Sequence, residues 1–273
     1  MTGRLKGQVA IITGASRGLG QYCARGFAME GAMVVIAART EEEIDKKLPG
    51  TIYHTAEMIN DAGGEAFPVV CNIANRESIT TMVSKVLEHW GRIDILMNNA
   101  AIQPPGNNSD IQEKHWNLIY NVNVHGPFNC IRAVLPTMIE QQQGNIINIS
   151  SAATLGGTPY GGTKRALEAM TEGLAQELKP QGITVNALKP VSAIETPGFL
   201  FAQVPRGTGL GDSPRLPPPD SYVEAAILLA CQTPESYTGR VNNDAEVISN
   251  LADTETATRL RELNPDDWVQ AMN

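Results

Sequence analysis

The chain has 273 residues, 42% of them hydrophobic, with 29 acidic against 21 basic side chains and a formal charge of −8. That apolar content is enough for a full core and excludes a disordered chain, while the acidic balance argues against nucleic-acid phosphates and anionic membrane surfaces as partners. Cys23, Cys71, Cys130 and Cys231 are scattered with no CxxC pair, and His54, His89, His115 and His125 lack ligand spacing, so neither a disulfide framework nor a metal site is expected.

The first strand begins within ten residues of the start, in MTGRLKGQVAIITG, which leaves no room for a secretory leader. No window approaches the ~20 apolar residues of a membrane span, and a cytoplasmic protein is expected. Short β-branched runs then follow in order: VAIIT (9–13), AMVVIA (32–37), AFPVV (66–70), DILMN (94–98), GNIINIS (144–150), ITVNAL (183–188) and RVNNDAEVI (240–248). Nearly continuous apolar runs suit strands covered on both faces. Helical periodicity separates them, as at Leu19, Cys23, Phe27 and Ala28 before the stop at Gly31. The clearest helix spans 160–182, with Ala166, Leu167, Met170, Leu174, Ala175 and Leu178 on one stripe. The pattern predicts an α/β fold, a three-layer, doubly wound parallel sheet of about seven strands (a Rossmann fold) in a single domain over 1–273. The Pro- and Gly-rich stretch at about 191–220 reads as a substrate lid, and Phe199, Leu200, Phe201 and Val204 in it suggest an apolar pocket.

TGASRGLG (13–20) sits where the first strand hands over to the first helix. Gly14 permits a turn, Gly18 lets backbone amides approach a pyrophosphate, and Gly20 allows close helix-to-strand packing; the helix N-terminus adds free N–H groups. The second strand ends with Ala38 and Arg39 where an NAD-selective carboxylate would stand, and Arg17 waits in the glycine turn. Two guanidiniums converging on one site favour the 2′-phosphate of NADP(H) over NAD(H), although Glu41 to Glu43 nearby could turn a carboxylate inward and serve NAD.

ISSAATLGGTPYGGTK (149–164) follows the fifth strand and places two serines, a tyrosine and a lysine together. Tyr160 and Lys164, four apart at a helix start, share a face. With NNAA (98–101) and NVNVHGPF (121–128), five ordered motifs make the chain resemble the short-chain dehydrogenase/reductase family over nearly its whole length. Within that family, LPGTIYHTAEMINDAGGEA and VNALKPVSAIETPG look like the hydroxysteroid-dehydrogenase-like subgroup.

The resemblance implies Tyr160 as catalytic acid/base, Lys164 as its partner, Ser151 as the hydroxyl polarising the substrate carbonyl, with Ser150 the alternative, and Asn123 bending its helix and holding a water that relays protons. It also implies Gly14, Ser16, Arg17, Gly18, Leu19, Gly20, Arg39, Asn72, Ile73, Asn99, Ala100, Tyr160, Lys164, Pro190, Val191 and Thr196 as cofactor contacts, with Asn98 bridging strands. A neighbouring ammonium and an oxidised nicotinamide would both lower the phenol pKa. Three departures stand out: Ala101 replaces a usual glycine, Val191 follows Pro190 where glycine is usual, and the stretch from Ser151 to Tyr160 is short, which should open the pocket to bulky substrates.

The expected activity is that of an NADP(H)-dependent oxidoreductase, a ketoreductase interconverting a small-molecule carbonyl and a secondary alcohol, working as a homodimer or homotetramer. The competing readings are a dinucleotide-binding sensor or scaffold with little turnover, and an NAD-dependent alcohol dehydrogenase.

Overall fold

The computed structural model describes residues 3–43, 49–194, 196 and 217–263. The central stretch of the expected lid, 197–216, with its four apolar residues, lies outside them. Elements follow in the order β1 (Val9–Thr13), α1 (Gly18–Met29), β2 (Met33–Ala38), α2 (Ile52–Asp61), β3 (Glu65–Val70), α3 (Arg76–Trp90), β4 (Ile95–Asn98) and α4 (Glu113–Tyr120). A π-helical turn at Asn121–His125 leads into α5 (Gly126–Gln141), then β5 (Gly144–Ile149), α6 (Pro159–Leu178), β6 (Ile183–Lys189), α7 (Asp220–Ala230), β7 (Val241–Asn243), α8 (Asp244–Leu251) and α9 (Thr254–Leu263).

All strand pairings are parallel, in the order β3-β2-β1-β4-β5-β6-β7. Alternate side chains of the inner strands enter two separate cores. Ala10, Ile12, Val34, Ile36, Ile95 and Met97 pack with α1, α2, α7 and α8, while Val9, Ile11, Val35 and Leu96 pack with α3, α5 and α6. Burial on both faces is why these strands read as unbroken apolar runs.

The last expected strand is cut short. Asn243 accepts from the Glu246 backbone N–H, and the Glu246 carboxylate returns to the Asn243 N–H, a capping box that starts α8 where 244–248 was expected to extend. Cys23, Cys71 and Cys130 are buried, whereas Cys231 is exposed at the end of α7.

Strand order reverses between β1 and β4, so the crevice of this sheet opens at their carboxyl ends. Thr13 ties the two ends together: its hydroxyl accepts from the Asn99 and Ala100 N–H groups, both at 3.1 Å, and donates to the Met97 carbonyl. Among the described residues no helix is long and apolar enough to cross a membrane, and no cluster of three metal-ligating side chains occurs.

Candidate active site

The glycine turn occupies the β1 side of the crevice. Gly14 has φ +69, and a Cβ there would lie 2.8 Å from the Ala100 Cα, so the turn presses on the exit of β4. A Cβ on Gly20 would lie 2.6 Å from the Gly14 carbonyl oxygen, the close packing of helix on turn expected of that residue. Helix α1 has no side-chain cap: Arg17, its N-cap residue, is extended, so the first-turn N–H groups remain for an anion. Ser16 is buried, Leu19 half-buried against the α1 core, and Gly18 lies 3.3 Å from Thr196 measured from the position of its missing Cβ.

Several of the expected contacts also hold the scaffold. Asn99 donates its side-chain amide to the Thr13 carbonyl at 2.8 Å and the Gly14 carbonyl at 3.3 Å, holding the turn. Ile73 is buried, with Gly126 lying against it. The Asn72 side-chain oxygen accepts from the Ala74 N–H. Ala101 is exposed, and it is Ala100 that meets Gly14. The Val191 N–H donates to the buried Asp244 carboxylate at 2.6 Å, which ties the residues after β6 to α8 and commits that amide away from a cofactor carboxamide; Pro190 beside it is half-buried.

On the β2 side, burial lowers the pKa of Arg17, with Glu43 opposing and the like charge of Arg39 adding a smaller lowering. Arg39 is exposed.

Across the crevice, β5 ends at Ile149 and its two following serines diverge. Ser150 is 3% exposed and donates to the Glu168 carboxylate at 2.8 Å. That carboxylate also receives Arg165 at 3.1 Å and has Lys189 at 3.8 Å, so Ser150 points at a buried carboxylate whose cations reach the surface. The Ser151 hydroxyl instead accepts from the Ala153 N–H at 3.2 Å, and Ser151 lies close enough to Tyr160 to lower the pKa of its phenol. Of the two candidate serines, Ser150 is thus the one committed to Glu168. The short loop between Ser151 and Tyr160 folds as a 3₁₀ turn, Ala152–Leu155, packed so tightly on α6 that a Cβ at Gly161 would lie 2.2 Å from the Ala153 carbonyl oxygen. Thr158 then caps α6 by accepting from the Gly161 N–H at 3.0 Å, which fixes where Tyr160 and Lys164 emerge.

Lys164 is 2% exposed, donates to the Ile149 carbonyl at 2.6 Å, and holds its ammonium 5.7 Å from the Tyr160 ring centroid. Burial lowers its pKa to about 8. Tyr160 moves the other way: burial pushes the phenol up to about 12, with Ser151 opposing. Burial is thus the larger influence on the phenol of this chain.

Asn123 sits within the π-helical turn that breaks the α4–α5 helix, as the resemblance implied. Its amide donates to the Ile102 carbonyl at 2.9 Å and to Thr163 at 3.1 Å, and its oxygen accepts from the Ile102 N–H at 2.9 Å. Asn98 donates to Asn148 at 2.9 Å, bridging β4 and β5 as expected. Glu168, Asp244 and Thr13 were missed by sequence reasoning. Their partners are remote in the chain, and the only local signal was a buried-helix position occupied by a carboxylate.

The profile of the short chain dehydrogenase family matches residues 8–199. The chain is 35% identical over 247 residues to a 3-oxoacyl-[acyl-carrier-protein] reductase of Thermotoga maritima, covering 87% of this chain and 96% of that one. It is also 35% identical over 253 residues to hydroxysteroid dehydrogenase-like protein 2 of Bos taurus, covering 90% of this chain but 59% of that longer protein. A metagenomic short-chain oxidoreductase solved in complex with NADP superposes with a TM-score of 0.71 at 30% identity, covering 88% of this chain and 98% of that one. The chain thus belongs to the short chain dehydrogenase family, oxidoreductases that bind a nicotinamide dinucleotide and act on CH–OH or carbonyl groups of small molecules.

Proposed function

We propose that this protein is an NADP(H)-dependent oxidoreductase that interconverts a carbonyl and a secondary alcohol on an apolar or bulky ketone, within one domain spanning the chain. The observation that carries this reading is the convergence of Ser151, Tyr160 and Lys164 at the end of β5, across the crevice from an uncapped helix N-terminus.

The glycine turn and the first turn of α1 suit a pyrophosphate, Arg17 and Arg39 suit a 2′-phosphate, and Lys164 suits the ribose beside the ring. When bound, the dinucleotide supplies or accepts the hydride. The protein handles the proton. A phenol pushed up to about 12 keeps its proton at neutral pH, so Tyr160 stands ready to donate it to a carbonyl oxygen that gains charge. Ser151, beside the phenol, donates to the same oxygen and orients it. The ammonium of Lys164 has three N–H groups; with one spent on Ile149, two remain for hydroxyl groups of the ligand. Asn123 keeps one lone pair of its oxygen for a relay water while holding Thr163, the neighbour of Lys164.

The test is NADPH consumption across ketones of several kinds (sterol, fatty acyl, aromatic and quinone), with Tyr160→Phe as control. Reduction that disappears in the variant supports the enzyme. Tight NADPH binding with no reduction of any carbonyl instead identifies a sensor or scaffold. Dissociation constants of NADPH and NADH in Arg39→Ala test the phosphate argument, which fails if NADPH affinity is unchanged.

A further inference from the structure

Arg17 would be an ordinary solvated side chain if the segment after β2 did not come back to meet it. Its Nε donates to the Pro49 carbonyl at 3.1 Å and its Nη2 to the Gly50 carbonyl at 2.9 Å. A guanidinium has five N–H groups in a rigid plane, so two bonds fix that plane and three donors stay available. The approach of the segment depends on Gly50. This residue is buried with φ +103, and a Cβ there would lie 2.4 Å from the Ser16 carbonyl oxygen and 3.3 Å from the Arg17 Cβ. Any side chain would both strain the backbone and lift the segment off the glycine turn. Glu43 holds it from the other side, accepting the Gly50 N–H at 2.8 Å, and the Ile52 N–H to Thr40 carbonyl bond at 3.0 Å closes the excursion.

We propose that Glu43, Pro49 and Gly50 form a clasp that presets Arg17 for the 2′-phosphate of the dinucleotide, making Gly50 and Glu43 determinants of NADP(H) selectivity. The inference rests on the NADP(H) reading above. The clasp acts twice. It holds the Arg17 guanidinium near the like charge of Arg39, an arrangement that a bound phosphate relieves. It also occupies Glu43 with a backbone N–H, so this carboxylate is drawn away from the ribose hydroxyl it would need to select NAD.

Dissociation constants for NADPH and NADH, measured by titration calorimetry on the full chain, test the clasp without reference to turnover. The wild type should prefer NADPH by at least ~10-fold. Gly50→Ala should reduce that preference by ~10-fold while leaving the NADH constant within about threefold. Arg17→Lys keeps the charge but lacks the two-carbonyl fork, and should lose the preference to a similar degree. Glu43→Gln keeps an acceptor for Gly50 and should retain it. Should Gly50→Ala fail to fold, Arg17→Lys decides alone. An unchanged NADPH/NADH ratio in folded Gly50→Ala or in Arg17→Lys, or equal weakening of both ligands there, overturns the clasp and leaves the cofactor reading standing. A wild type that binds NADH at least as tightly overturns the cofactor reading and the clasp with it.

Discussion

Arg17 and Lys164 are both cations at the carboxyl ends of the same parallel sheet, yet they are kept in place by different physics. Arg17 is partly exposed and gripped through its planar fork by two backbone carbonyls, and a guanidinium stays charged at neutral pH although burial lowers its pKa. Lys164 is 2% exposed and has one carbonyl partner, and burial draws its pKa down to about 8. One end of the crevice is built to recognise a fixed anion. The other is built so that a proton can leave or arrive near neutral pH, which is where acid–base chemistry needs its groups.

The sharpest way to break this contrast is Lys164→Met. Carbonyl reduction should fall by at least ~10². At pH 7 the same variant should be more stable without cofactor, by about 1–3 kcal/mol, because a lysine whose pKa drops from 10.5 to about 8 on folding destabilises the fold while charged. The sign follows directly: the penalty is complete below pH 8 and fades as pH rises toward 10.5. Thermal midpoints of the two proteins, compared at pH 7 and pH 10, check it, and the gap should shrink at the higher pH.

The paired serines sharpen the comparison next. Ser151→Ala should lower kcat by ~10² with an unchanged thermal midpoint. Ser150→Ala should do the reverse, costing about 1–3 kcal/mol of stability as the buried Glu168 carboxylate loses a donor, with kcat within a few-fold. Steady-state kinetics and denaturant unfolding of both variants separate the two roles. The smallest effect is on binding. NADPH affinity should weaken gradually above about pH 8 as Lys164 loses its proton, and that dependence should be missing in Lys164→Met.

What sequence patterning reveals here is what short-range physics determines. The seven strands and the glycine turn are written in β-branched runs and in a strand-to-helix junction, and the i, i+4 spacing already puts Tyr160 and Lys164 on one face. Which serine faces the phenol is not local. It depends on Glu168, eighteen residues on, lying beneath Ser150. The resemblance implies Asn99 as a cofactor contact, and what it does not reveal is that Thr13 and Gly14, 86 and 85 residues earlier, hold its side-chain amide. Residues 244–248 looked like strand because β-branched Val247 and Ile248 follow Val241, and a capping box won over that propensity. The grip of Pro49 and Gly50 on Arg17 spans 32 and 33 residues and leaves no trace in the motif itself.

The central claim is that the Tyr160 phenol delivers the proton as a hydride reaches a carbonyl carbon. Single-turnover transfer of deuterium from C4-deuterated NADPH to a reducible ketone, followed by mass spectrometry in wild type and Tyr160→Phe, tests it most directly. Label should appear on the carbinol carbon in the wild type, with the variant slower by ~10²–10⁴ while still binding NADPH with comparable affinity. Label transferred by Tyr160→Phe at the wild-type rate would contradict it.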